Sequence, residues 1–271
     1  MIYCSLQACK DAGFPERKIV IRIAQISDCH LFAEASKSSY GHIAPYESLA
    51  KVLQDIAPQN IDLLLITGDL SADGSAASYQ HFKDLVIKYG ISSHYVILPG
   101  NHDSLVILQQ QFASSNLWLH YPLHAPLTLA NWQIYLLNTK TQGTGGELPT
   151  DELAGLSEVL SQQSNYYKLV AAHHHPIPCE SWMDAHGWQN GAELVRILQG
   201  FDSVKAMVYG HIHAATEVTV DHCRYLACPS TCWQWALQPE FGLSEQGPGY
   251  RILNLADSGQ FNTEVFRVEY P

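Results

Sequence analysis

Five apolar runs in this chain of 271 residues each break off into a short polar cluster made of His, Asp, Asn and Gly. In chain order the clusters are Asp28-Cys29-His30, Thr67-Gly68-Asp69, Gly100-Asn101-His102-Asp103, His173-His174-His175-Pro176 and Gly210-His211-Ile212-His213, and together they hold half of the 14 histidines. Runs of Ile, Val and Leu bounded by Gly, Pro or polar residues read as buried strands meeting loops. If those strands are parallel neighbours, one rim of a sheet gathers every cluster, and open α/β sheets place their sites at such a rim. A mixture of oxygen and imidazole donors suits divalent transition metals. The pattern points to a two-metal hydrolytic site.

The elements between the clusters fit that geometry. Ile19 to Ile26, Asp62 to Ile66 and His94 to Leu98 read as strands. Between them, Tyr46 to Ala57 and Ala76 to Tyr89 carry apolar residues at helical spacing. Strand alternating with helix is the signature of a parallel sheet with covering helices. A short helix over Leu105 to Phe112 and a hairpin around Asn131-Trp132 follow, then a helix with Thr150 as its N-cap. Strands over Lys168 to Ala172 and Val204 to Tyr209 flank a helix over Ala192 to Leu198. The last four strands, Thr216 to Val220, Arg224 to Cys228, Tyr250 to Leu255 and Thr263 to Val268, read as antiparallel. Two strand–helix halves, each supplying polar clusters, suggest two sheets face to face with helices outside. Residues 1–18 read as a loose N-terminal arm and 19–271 as one domain. Pro229 to Pro248 is the longest irregular stretch, and its Trp233, Trp235 and Phe241 are unusual for a solvated loop.

Composition narrows the function. The 26 Asp+Glu outweigh 15 Lys+Arg, giving a net charge of -11 without a basic stripe, which argues against binding to duplex nucleic acid. No apolar stretch approaches the roughly 20 residues of a membrane span. Lys10, Asp11, Glu16, Arg17 and Lys18 precede the first apolar run, against a secretory leader. Seven scattered cysteines without a Cys-x-x-Cys pair fit a reduced, cytoplasmic protein. The oligomeric state stays open, a homodimer included.

Each cluster has a plainer reading to set against the metal one. Asp28 and His30 are i and i+2 on a strand end, so they project to one side while Cys29 faces the core. His211 and His213 repeat this spacing around Ile212, and a His-x-His pair is the stronger metal signal of the two. Asp69 alone could be a turn or helix-cap residue. Two cations roughly 3.5–4 Å apart need a shared ligand, however, and a carboxylate can bridge them. Asn101 is a poor choice for a strand end unless its side-chain oxygen is used; His102, next to it, is better placed to touch substrate. Alternation lets at most two of His173, His174 and His175 share the site. The other histidines read as ordinary surface or core residues, with His42 and His186 able to line the cleft.

The order Asp-x-His, Gly-Asp, Gly-Asn-His-Asp, His-x-Pro, Gly-His-x-His resembles the calcineurin-like metallophosphoesterases. The likeness runs from Ile19 to Val268 and extends to class III 3′,5′-cyclic-AMP phosphodiesterases through Ser27-Asp28-Cys29-His30-Leu31-Phe32-Ala33, Ser181-Trp182-Met183-Asp184 and Pro229-Ser230-Thr231-Cys232. That resemblance implies an α/β fold, a four-layer αββα sandwich of two mixed sheets flanked by helices, holding two divalent cations, Fe(II) or Mn(II). One cation would be held by Asp28, His30, Asp69 and His213, the other by Asp69, Asn101, His211 and one His of the triplet. The family's spacing from the proline selects His174, while the tripled His leaves His173 open. Cys29 stands where Thr or Ser is usual and Asp103 where Glu is common; neither change removes a ligand. The reaction implied is hydrolysis of cyclic AMP to 5′-AMP by a water activated between the cations. His102 would stabilise the phosphate or protonate the leaving alkoxide as general acid, and His30, Asp69, Asn101, His102 and His213 would line the substrate position. Another phosphodiester or pyrophosphate is the competing substrate, such as a glycerophosphodiester or a nucleotide-linked lipid. A non-catalytic scaffold would be expected to have lost ligand clusters, and here all five are intact.

Overall fold

The computed structural model describes residues 20–91, 95–112, 126–162 and 165–271. The expected arm over 1–18, Ile19 and His94 lie outside the described residues. β1 (Val20–Ile26), α1 (Pro45–Ile56), β2 (Leu63–Thr67), α2 (Ala76–Lys88), β3 (Tyr95–Leu98) and α3 (Leu105–Phe112) form the first half. β4 (Leu127–Leu129), β5 (Trp132–Leu136), α4 (Thr150–Ser161), β6 (Tyr167–Ala171), α5 (Gly191–Gln199) and β7 (Val204–Tyr209) form most of the second. β8 (Glu217–Val220), β9 (Cys223–Ala227), the two-residue strands β10 (Gln234–Trp235) and β11 (Leu243–Ser244), β12 (Gly249–Ala256) and β13 (Phe261–Arg267) complete the chain.

Two mixed sheets result, ordered β13-β12-β1-β2-β3 and β4-β5-β6-β7-β9-β8. Alternation along the strands sorts their side chains into layers. Ile21, Ile23, Leu63, Leu65, Val96 and Leu98 of the first sheet meet Trp132, Ile134, Leu169, Ala206 and Val208 of the second. The opposite faces bury Ala24, Ile26, Leu64 and Ile66 against Leu49, Leu53, Tyr79 and Phe82 of α1 and α2, and Tyr135, Val170 and Met207 against Leu153, Leu156 and Leu194 of α4 and α5. A strand buried on both faces must be apolar at nearly every position, which is why these strands read as continuous Ile/Val/Leu runs. The architecture is the four-layer αββα sandwich.

Two expectations are corrected. α4 begins one residue earlier than a Thr150 cap requires: Pro149 is the N-cap, without a side-chain cap bond, and its carbonyl accepts from the Leu153 backbone N–H. β9 is antiparallel to β8, as expected, but it also adds parallel to β7. Its C-terminal end thereby opens onto the same rim as the ends of β1, β2, β3, β6 and β7, and the segment from Pro229 onward is delivered there.

Candidate metal centre

The β1 and β2 ends continue side by side beyond the sheet. The backbone N–H of Asp28 donates to the Gly68 carbonyl (3.0 Å) and that of His30 to the Asp69 carbonyl (2.9 Å). Asp28 and His30 do reach a common point, but not by the alternation of an extended strand. Both are left-handed, with φ of 54° and 46°, as are Asp69 (50°), His211 (69°) and His213 (44°). Asp and His tolerate this region better than most residues, yet each such residue costs about 1 kcal/mol or more. Strain of this kind gathers where function fixes the backbone. Cys29 and Ile212 enter the two helix-facing cores, as their place between ligands predicts.

Close approach of the strand ends depends on two glycines. A Cβ on Gly100 would overlap the Asp69 carboxylate, and one on Gly210 would lie 2.6 Å from Asp28 Oδ2. Asp103, buried below, accepts from the backbone N–H groups of Leu70 (3.2 Å), Ser71 (3.0 Å) and Gly100 (2.9 Å) and from the Tyr79 hydroxyl (3.1 Å). It therefore ties the β2 and β3 loops together. Burial, and then the charge of Asp69, push its carboxyl up to about 6.

The donor atoms form two adjoining groups. In the first, His213 Nε2 lies 3.0 Å from His30 Nε2 and 3.4 Å from Asp28 Oδ1, a buried oxygen with no hydrogen-bond partner. In the second, His173 Nε2 lies 3.1 Å from Asn101 Oδ1, 3.2 Å from His211 Nδ1 and 3.4 Å from Asp69 Oδ2. Asp69 Oδ2 is also 3.7 Å from His30 Nε2, so this carboxylate stands between the groups; its Oδ1 accepts from the His102 backbone N–H. Backbone carbonyls orient the rings. His173 Nδ1–H donates to Thr67 (2.8 Å), His211 Nε2–H to His186 (2.9 Å) and His213 Nδ1–H to Trp233 (2.9 Å). Each remaining ring nitrogen then turns a lone pair inward, as in a histidine whose other N–H is tied to a carbonyl so that its free nitrogen can meet a metal.

Lone pairs of His173 and His211 facing each other beside two oxygens repel unless a cation or a proton lies between them. Burial alone would drive the His173 ring neutral, but the charge and hydrogen bond of Asp69 hold it protonated, up to about 9. Burial would likewise raise the Asp69 carboxyl, yet His173 and His30 hold it well below the usual range. Burial pushes His30 down to about 3 and, with His174 and His173 beside it, lowers His211 far below the ordinary value.

His174 sits differently. Its Nδ1 shares a 2.7 Å hydrogen bond with Thr139 Oγ1, and its ring fills the space that a Cβ on Gly146 would take. Its ring lies 4.6 Å from that of His211, and its buried Nε2 has no hydrogen-bond partner. His175 stacks on His211 and faces Asp184 at 3.4 Å. His102 is exposed, its ring 4.9 Å from that of His30. His186 borders the cleft, while His42 lies outside it.

A cavity of about 350 Å³ lies over these groups, bordered by His30, Asp69, Asn101, His102, His211 and His213 below and by Phe32, Tyr40, Trp182, Met183, Trp233 and Trp235 to the side. Trp233 stacks on His30 (5.1 Å, 25°) and Trp235 on His213 (4.9 Å, 26°). The two indoles thus pack against the His30 and His213 rings. The aromatic cluster in the last loop hinted at this wall, but Tyr40, in a Ser-rich loop, gave no sequence signal.

Comparisons agree with this geometry. Residues 21–215 match the family model described as calcineurin-like phosphoesterase. The 3′,5′-cyclic adenosine monophosphate phosphodiesterase CpdA of Escherichia coli (strain K12) is 36% identical, covering 92% of this chain and 90% of its own. CpdA of Pseudomonas aeruginosa is 34% identical over 96% and 94%. A dimetal phosphatase from Danio rerio, 13% identical with a TM-score of 0.61, covers 91% of this chain and 98% of its own and shares the fold. With its five clusters gathered at one rim of such a sandwich, the chain belongs to the calcineurin-like phosphoesterase family.

Proposed function

We propose that this protein is a dinuclear, metal-dependent phosphodiesterase that hydrolyses 3′,5′-cyclic AMP to 5′-AMP. The observation that carries the reading is the convergence of His211 Nδ1, Asn101 Oδ1 and Asp69 Oδ2 within 3.4 Å of His173 Nε2, with the tautomers of both rings set by backbone carbonyls. Four acceptors at such range fit a cation, and so does the unpartnered Asp28 Oδ1. We assign Asp28, His30, Asp69 and His213 to one site, and Asp69, Asn101, His173 and His211 to the other. The spacing from Pro176 favours His174 at that last position, but its ring is turned to Thr139. Oxygen and imidazole donors without thiolate favour Fe(II) or Mn(II).

Two cations held there would supply charge to neutralise the phosphate oxygens and would lower the pKa of water. The chain's own residues do the rest. Asp69 spans both positions. His102, exposed at the cavity floor, is placed to deliver the proton that the 3′ oxygen takes up when its bond to phosphorus breaks. A cytoplasmic protein fits the same reading, since Cys29, Cys179, Cys223, Cys228 and Cys232 all carry free thiols.

The test is a substrate panel on Mn-loaded protein: cyclic AMP, cyclic GMP, 2′,3′-cyclic AMP and an aryl phosphodiester. Cyclic AMP should give the highest kcat/KM, with 5′-AMP as product. A protein that leaves cyclic AMP intact while cleaving another diester or a pyrophosphate would overturn the assignment.

A further inference from the structure

The cavity over the metal centre has two unlike sides. One carries the donor atoms together with His102. The other is largely aromatic, with Ser39, Thr144 and His186 also on the border, and among the described residues neither Lys nor Arg lines the cavity. Charge on a bound phosphate must therefore be met at the metal side, and whatever else a ligand carries must suit rings.

Not all of those rings are free. Trp233 and Trp235 each have a face against a histidine of the centre, so these two act as positioning residues. Tyr40 and Trp182 differ. Tyr40 is 47% exposed, and Trp182 is half-buried. Each meets Trp235 nearly at right angles, at 5.0 Å and 81° for Tyr40 and at 5.5 Å and 75° for Trp182. Phe241 braces both from outside, with ring centroids 6.0 Å from Tyr40 and 5.1 Å from Trp182. Two rings are thus braced by neighbouring rings at the border of the cavity, which lessens the ordering a ligand would have to impose.

We propose that Tyr40 and Trp182 form the subsite that takes the nucleobase of the substrate by stacking. This inference rests on the phosphodiesterase reading and adds to it how a nucleotide would be told from other phosphodiesters. A base presents a flat π-face to such rings whatever its edge groups, so the rings can hold one without reading its edge. The cavity volume lies near the low end for small-molecule sites, which favours one compact ligand over the acyl chains of a lipid. A polar glycerophosphodiester would leave the rings without a partner.

The test is binding rather than turnover. Affinities of 5′-AMP and ribose 5-phosphate for the Mn-loaded protein are measured by calorimetry, for the wild type and for Tyr40→Leu, Trp182→Leu and Tyr40→Phe. The wild type should bind 5′-AMP about ten-fold or more tightly than ribose 5-phosphate, the order of one base–aromatic stack. Each Leu variant should lose most of that gap and leave ribose 5-phosphate unchanged, and Tyr40→Phe should keep it. Tyr40 is exposed, so its Leu variant will fold, and unchanged melting temperatures verify this for all three. Equal wild-type affinities, no measurable binding of either ligand, or Leu variants that weaken both ligands alike would each overturn the proposal. A protein with the affinity gap that leaves cyclic AMP intact would refute the proposed reaction while the base subsite stands; hydrolysis without the gap would do the reverse.

Discussion

At the scale of single residues, the centre is organised by which nitrogen of each imidazole is already engaged. His173, His211 and His213 each give one N–H to a carbonyl, and the geometry leaves the second nitrogen for the interior. His173→Ala should therefore reduce bound metal to about one equivalent by elemental analysis. His174→Ala, which removes a ring held by Thr139, should leave two equivalents in place. His102→Ala should lower kcat by about 10²–10⁴-fold, the range for a general acid, with two metals still bound; loss of metal in that variant would disqualify the role. The raised His173 adds a pH dependence. In the metal-free fold its protonated form contributes stability that is complete below the ordinary histidine value and fades as pH climbs through about 9. A cation must displace that proton. Loading at pH 7.5–8 (about one unit below that value) should release a proton, and apparent metal affinity should strengthen as pH rises toward about 9. Calorimetry in buffers of different ionisation enthalpy measures this directly, and uptake without proton release would contradict it.

At the scale of elements, the strand ends are brought together by what is missing as much as by what is present. Gly100 lets β3 end against the Asp69 carboxylate, and Asp103 binds the two loops through four donors. Gly100→Ala should destabilise the fold by about 1–3 kcal/mol, as overpacking does, and should weaken metal binding in the same variant. Urea denaturation and metal analysis would check both, and a stable variant with full metal content would show that the loop relaxes freely. The pairing of β9 with β7 matters equally at this scale. It brings Trp233 and Trp235 over the histidines, although a short strand next to a hairpin reads in sequence as one more antiparallel strand.

At the scale of the whole molecule, two sheets share one core and send their parallel ends to one rim, where left-handed residues and facing lone pairs accumulate. That rim is the part of the fold a cation would stabilise most. Ligand bound only to the native state at about 100 times its Kd adds about 2.7 kcal/mol. Chelation should therefore lower the melting temperature by several degrees, reversibly on adding Mn(II); an unchanged melting temperature would mean the rim is stable without metal.

What the sequence determined by itself was the set of strands and the residues at their ends. Buried strands must be apolar along their length, and polar residues where they stop stand out against that background. Asp28, His30, Asp69, Asn101, His211 and His213 were legible for this reason. Only the tertiary structure shows that the His173 ring faces Asn101 and the His174 ring Thr139, because spacing along the chain does not record which way a ring turns. It alone gave Trp233 and Trp235 their place against the His30 and His213 rings and brought Tyr40 to the cavity. Those contacts join segments far apart in the chain, and they exist only once the two sheets have closed on each other.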